Sequence, residues 1–112
     1  MTTLPRDIDD TPIPALRLKA SGGAHSIAAS ASPAVNATAF SSATRVVSVY
    51  ATGNVYLRFG GPSVSAANTD HYFPAGVYYD FSIGGGKTGQ FTHLGVLRAD
   101  GSDCMVYVSE KE

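Results

Sequence analysis

Hydrophobic and polar residues alternate with a period of two along residues 44–109. Val47, Val49 and Ala51 fall on one side of an extended segment and Val46, Ser48 and Tyr50 on the other, as in a strand with one buried face. Thr52-Gly53-Asn54 marks a tight turn, after which Val55, Leu57 and Phe59 alternate with Tyr56 and Arg58 as far as Gly60-Gly61-Pro62. A polar loop, 63–70, leads to a short strand His71-Tyr72-Phe73, stopped at Pro74-Ala75-Gly76. Val77, Tyr79, Phe81 and Ile83 then alternate with Tyr78, Asp80 and Ser82. Residues 91–99 and 103–109 are predicted to close as a hairpin through Asp100-Gly101-Ser102, because Asp-Gly between alternating runs favours a hairpin turn.

Upstream the pattern changes. Residues 20–44 carry no Asp, Glu, Lys or Arg, and 15 of these 25 residues are Ala or Ser. Gly22, Gly23 and Pro33, with no large apolar stripe, argue against a helix, leaving weak strand signals at 24–30 and 36–40. In residues 1–19, Pro12 and Pro14 impose extended backbone. The expected organisation is an extended N-terminal arm, 1–23, and a β domain, 24–112, whose firmest strands lie within 45–109. Six strands with up to two more from the arm define an all-β fold, a small β-sandwich or jelly-roll-like barrel.

Size then bears on assembly. The strongly alternating region is about 65 residues, and a domain that small buries only about 60% of its unfolded surface. A single cysteine, Cys104, excludes an intrachain disulfide and reads as a buried strand thiol. Oligomerisation is therefore expected, with Ile13, Leu16, Leu18 and Ile27 of the arm region as partner contacts. Tyr56, Tyr78 and Tyr107, opposite Val55, Val77 and Val106, are expected at an oligomer interface, where a ring is buried and its hydroxyl stays near water.

The net charge of −1, with eight basic and nine acidic side chains, leaves no electrostatic footprint for nucleic acid or an anionic membrane. Met1-Thr2-Thr3-Leu4-Pro5-Arg6 lacks the apolar core of a signal peptide, and no run approaches the roughly 20 apolar residues of a spanning helix. A soluble chain made in the cytoplasm is expected.

No motif asks for catalysis. Gly84-Gly85-Gly86-Lys87-Thr88-Gly89 resembles a phosphate loop, but Phe81 stands where its first glycine belongs and strand, not helix, follows. His25, His71 and His93 form no His-x-His pair, and there is no Gly-x-Ser-x-Gly elbow. No metal or cofactor is expected, and no enzyme activity. The loop bearing Asn68, Asp70, His71 and Tyr72 is a candidate ligand site, since sugars stack on an exposed ring beside polar partners.

The series Thr44-Arg45-Val46-Val47-Ser48-Val49, Val55-Tyr56-Leu57-Arg58-Phe59-Gly60 and Tyr72-Phe73-Pro74-Ala75-Gly76-Val77-Tyr78-Tyr79-Asp80-Phe81, ending in Met105-Val106-Tyr107-Val108-Ser109-Glu110, spans most of the chain. With Thr11-Pro12-Ile13-Pro14-Ala15-Leu16-Arg17 before it, the layout resembles small β-rich virion proteins of tailed bacteriophages, above all head decoration (cement) proteins. Phe73-Pro74-Ala75 and Val108-Ser109-Glu110 occupy the places of that group's Leu-Pro-Ala and final Val-Thr-Glu. The resemblance implies a non-enzymatic virion role: a homotrimer binding the major capsid protein or another virion protein and stabilising the head shell. A head–tail connector or tail component uses the same layout. A carbohydrate- or receptor-binding sandwich is the expectation from a different class.

Overall fold

The structure, a computed structural model, describes residues 17–85 and 89–111. Its eight strands are β1 (Ala24–Ala29), β2 (Ala34–Val35), β3 (Val46–Ala51), β4 (Val55–Gly60), β5 (His71–Phe73), β6 (Tyr78–Ser82), β7 (His93–Arg98) and β8 (Cys104–Lys111). They form two four-stranded antiparallel sheets, ordered β1-β8-β3-β6 and β2-β7-β4-β5. Every connection changes sheet except β4 to β5. That wiring is a jelly roll, two four-stranded layers over one core.

The period-two pattern fills the core. Val47, Val49, Val106 and Val108 from the first sheet face Val55, Leu57, Leu94 and Val96 from the second, each 2% exposed or less. Residues 20–44 join the same core. Ile27 and Ala29 point inward from β1, and Phe40 is also buried. Ile27, expected among the partner contacts, is thus a core residue of its own chain, since the parity that turns Ala29 inward turns it inward too. Ile13 and Leu16 lie outside the described residues, and Leu18 is 61% exposed beside the end of β8.

Two other expectations are corrected. Residues 36–40 form no strand: Asn36 is buried, its Nδ2 donates to the Thr38 carbonyl at 2.6 Å, and its Oδ1 accepts the Leu94 N–H at 2.8 Å. An asparagine that bonds nearby backbone offers the chain a turn in place of a ladder. The expected final hairpin is not one either, because β7 and β8 lie in different sheets. Five residues separate these strands, too many for a two-residue Asp-Gly turn. Asn54 Nδ2 donates to Asp100 Oδ2 at 2.9 Å and Arg98 pairs with Asp103 at 2.5 Å, fixing a corner between layers.

Part of the outer face of the second sheet, over Gly95, is covered by its own β4–β5 loop. Ala66 is 2% exposed and lies over Gly95. A Cβ on Gly95 would stand 3.2 Å from the Ala66 nitrogen and 3.5 Å from a Val64 methyl. Gly95→Val is therefore expected to lift this loop and cost about 1–3 kcal/mol, read as a lower urea midpoint.

Candidate functional site

The outer face of the first sheet is built in rows that the strand register defines. Ser26, Tyr107, Tyr50 and Tyr78 are successive cross-strand partners on β1, β8, β3 and β6. The Tyr50 and Tyr78 rings lie 4.7 Å apart at a tilt of 38°. Tyr78 is 73% exposed and Tyr107 44% exposed. The next row holds Ala24, Ser109, Ser48 and Asp80, small enough to leave a shallow hollow that Leu18 and Tyr78 flank. Charge on this face is internally balanced: Lys111 Nζ lies 3.1 Å from Asp80 Oδ1, and Ser48 donates to the same oxygen. Those bonds, led by Ser48, hold the Asp80 carboxyl below the usual range. The result is a face of rings, methyls and hydroxyls on which the Lys111 and Asp80 charges pair with each other.

Tyr56 does not share that surface. It lies on the other sheet, paired with Tyr72 at 5.8 Å in an edge-on contact. The three tyrosines expected at one interface thus divide between opposite sides of the sandwich.

A second feature opens between the β5 and β6 edges. Phe59, Phe73, Tyr79 and Phe81 form an aromatic cluster, with Phe73 and Phe81 centroids 5.2 Å apart. Leu57, Phe59, His71, Phe73 and Phe81 line an apolar slot of about 240 Å³. Beside it, Arg58, Asp70, His71 and the 44% exposed Phe91 border a wider depression. Phe91 stacks on Phe59 at 6.1 Å. Asp70 Oδ2 accepts the Ala67 N–H at 2.7 Å, which turns its other oxygen toward Arg58, 3.9 Å away. Of the expected ligand loop, Asp70 and His71 reach this cleft. Strand parity sends Tyr72 to the opposite face, and Asn68 is exposed on the loop. Phe91 and Phe81 went unnoticed as site residues because alternation marks inward positions without showing where a core lies open.

The chemically most distinctive side chain is elsewhere. Glu110 is 1% exposed, and its Oε1 accepts the Thr44 hydroxyl at 2.6 Å and the Ser41 N–H at 2.8 Å. Its Oε2 lies 2.7 Å from His25 Nε2, which must donate because an ionised carboxylate only accepts. Burial alone would raise this carboxyl, but the bonds from Thr44, His25 and Ser41 together hold it below the ordinary glutamate value. The His25 ring also packs edge-on against Phe40 at 5.2 Å. With its acceptors occupied and its side chain shielded from solvent, Glu110 is an anchor that ties β1 and the 41–44 turn to β8.

Among the described residues no cluster of His, Cys, Asp and Glu is arranged to hold a metal, and no helix is long and apolar enough to cross a membrane. Comparison with protein-family models, curated proteins and solved structures gives no match.

Proposed function

We propose that this chain is a non-enzymatic structural protein of a tailed-bacteriophage virion, a decoration protein that binds the outside of the head shell as a homotrimer and reinforces it. The observation that carries the reading is the outer face of the first sheet, which no other described residues cover. Its tyrosine row offers large apolar contact at low side-chain entropy cost, and its balanced charges need no counter-ion on desolvation. A tyrosine row beside a mutually paired Lys111 and Asp80 suits a protein partner. The jelly-roll wiring supports the same reading in a general way, since capsid and lectin domains use it, although a fold alone assigns no function. Reinforcement follows if each copy spans neighbouring shell subunits, which an added N-terminal segment helps it do.

The surface makes the test direct. Tyr78→Glu combined with Tyr107→Glu alters two exposed rings and is expected to change stability little, while head occupancy falls at least tenfold in a sedimentation assay. Undiminished occupancy removes the assignment. Truncation for the same purpose should stop at residue 16, because β1 begins at Ala24 and supplies core residues.

A carbohydrate- or receptor-binding role is favoured by one observation, the exposed Phe91 ring beside Asp70, His71 and Arg58. Binding on a glycan array that disappears with Phe91→Ala would favour it over shell docking.

A further inference from the structure

Among the described residues, the sandwich is closed along one side and open along the other. At the β1 and β2 edges the two sheets touch, and the Arg98 N–H donates to the Ser30 carbonyl at 3.1 Å across the layers. At the β5 and β6 edges Phe73 and Phe81 stay half-buried above the apolar slot. β6 ends its sheet. The Ile83 N–H donates to Arg45 on the β3 side, so alternation turns the backbone groups of Tyr78, Asp80 and Ser82 toward the open edge. An edge strand beside an apolar slot is built to accept an added strand, with main-chain bonds at the edge and an alternate side chain in the slot.

We propose that this edge and slot accept residues 11–15 of a second copy of the chain, with Ile13 filling the slot. Thr11-Pro12-Ile13-Pro14-Ala15 has the chemistry such a strand requires. Two prolines spaced by two place both missing donors on one side of an extended chain. Thr11, Ile13 and Ala15 keep their N–H groups for β6, and the prolines face away from it. Running parallel to β6, Ile13 stands opposite Phe81 and shares its inward face, while its N–H and C=O meet the Asp80 carbonyl and the Ser82 N–H. Ile13 brings one large aliphatic side chain to an apolar slot.

A second copy is required by reach. Leu18 bridges Lys111, and the Lys19 N–H donates to the Glu110 carbonyl at 2.9 Å, which fixes the chain on the β1 side of β8. A strand added outside β6 lies four strand spacings away, about 19 Å. Ala15, the nearest residue of the segment, is three residues before Leu18, about 10 Å at full extension. No length remains for residues 11–15 to turn and lie along β6 of their own copy. One copy's segment meeting another copy's edge is a head-to-tail contact, which closes into a ring when the rotation permits, as a trimer needs. This inference goes beyond the virion reading and holds whatever surface the assembled protein is fixed to.

The test uses the full-length chain in a Cys104→Ser background. Thr11→Cys is paired with Tyr79→Cys, the position it faces when Ile13 stands opposite Phe81. Oxidation is expected to give disulfide-linked species between chains. Ile13→Asp should abolish them and shift the light-scattering mass to that of a monomer. Disulfides confined within one chain, an oligomer mass unchanged by Ile13→Asp, or a monomer in every variant would each overturn the proposal.

Discussion

Glu110→Ala is expected to destabilise the protein by about 3–5 kcal/mol, the range found when one partner of a buried charged network is removed. The substitution strands the Thr44 hydroxyl, the Ser41 N–H and the His25 ring nitrogen without their carboxylate acceptor. It also frees β1 and the 41–44 turn from β8. The pH dependence carries the same signature. Because the folded carboxyl is held below its unfolded value of about 4.5, its contribution is fully present above that pH. It is lost as pH falls through the depressed folded value. Urea unfolding at pH 7 and pH 3 should therefore show a large loss in the native protein and a smaller one in Glu110→Ala. Equal pH dependence in the two would mean that Glu110 is not the group responsible.

Leu94→Ala should cost about 2–5 kcal/mol by opening a cavity between the sheets. Leu94 is fully buried on the inner face of β7, packed within the cluster that includes Val47, Leu57 and Val106. The Asn36 side chain accepts its backbone N–H, so this bond survives the substitution and the loss reports packing. Phe91→Ala removes a larger but 44% exposed ring and is expected to cost less. Thermal unfolding of the two variants side by side checks the order. A larger fall in Tm for Phe91→Ala would place the core's centre at the cleft.

These effects also separate what alternation reveals from what it hides. The inward sets Val47-Val49-Ala51 and Val106-Val108 were legible because each strand has one wet and one dry face. The same parity places Glu110 inward beside Val108, and a charged residue at a core position signals a buried partner. His25 could not be named as that partner, since 85 residues separate the two. Sheet membership was hidden as well. Turn chemistry at Asp100-Gly101 is the same whether the next strand pairs alongside or crosses to the facing layer. Only the long-range pairings of β8 with β1 and β3 decide it. Residues 24–44 gave only weak strand signals because Ala and Ser make weak patterns, yet small side chains let β1 lie close against β8 with Ile27 and Phe40 as inward anchors.

The candidate surfaces show the same limit. Tyr78 and Tyr107 were found from composition and parity, whereas their union with Tyr50 into one row depends on register across three strands. The cleft joins Asp70 and His71 to Phe91, which lies twenty residues beyond His71 on a different connection. No local pattern links them.

The central claim, that this chain coats a phage head, is tested most directly by its copy number in purified virions, measured by quantitative mass spectrometry against the major capsid protein. Decoration predicts hundreds of copies per particle, in fixed ratio to the shell. Six or twelve copies would assign it to the neck or tail, and absence from the particles would contradict a virion role altogether.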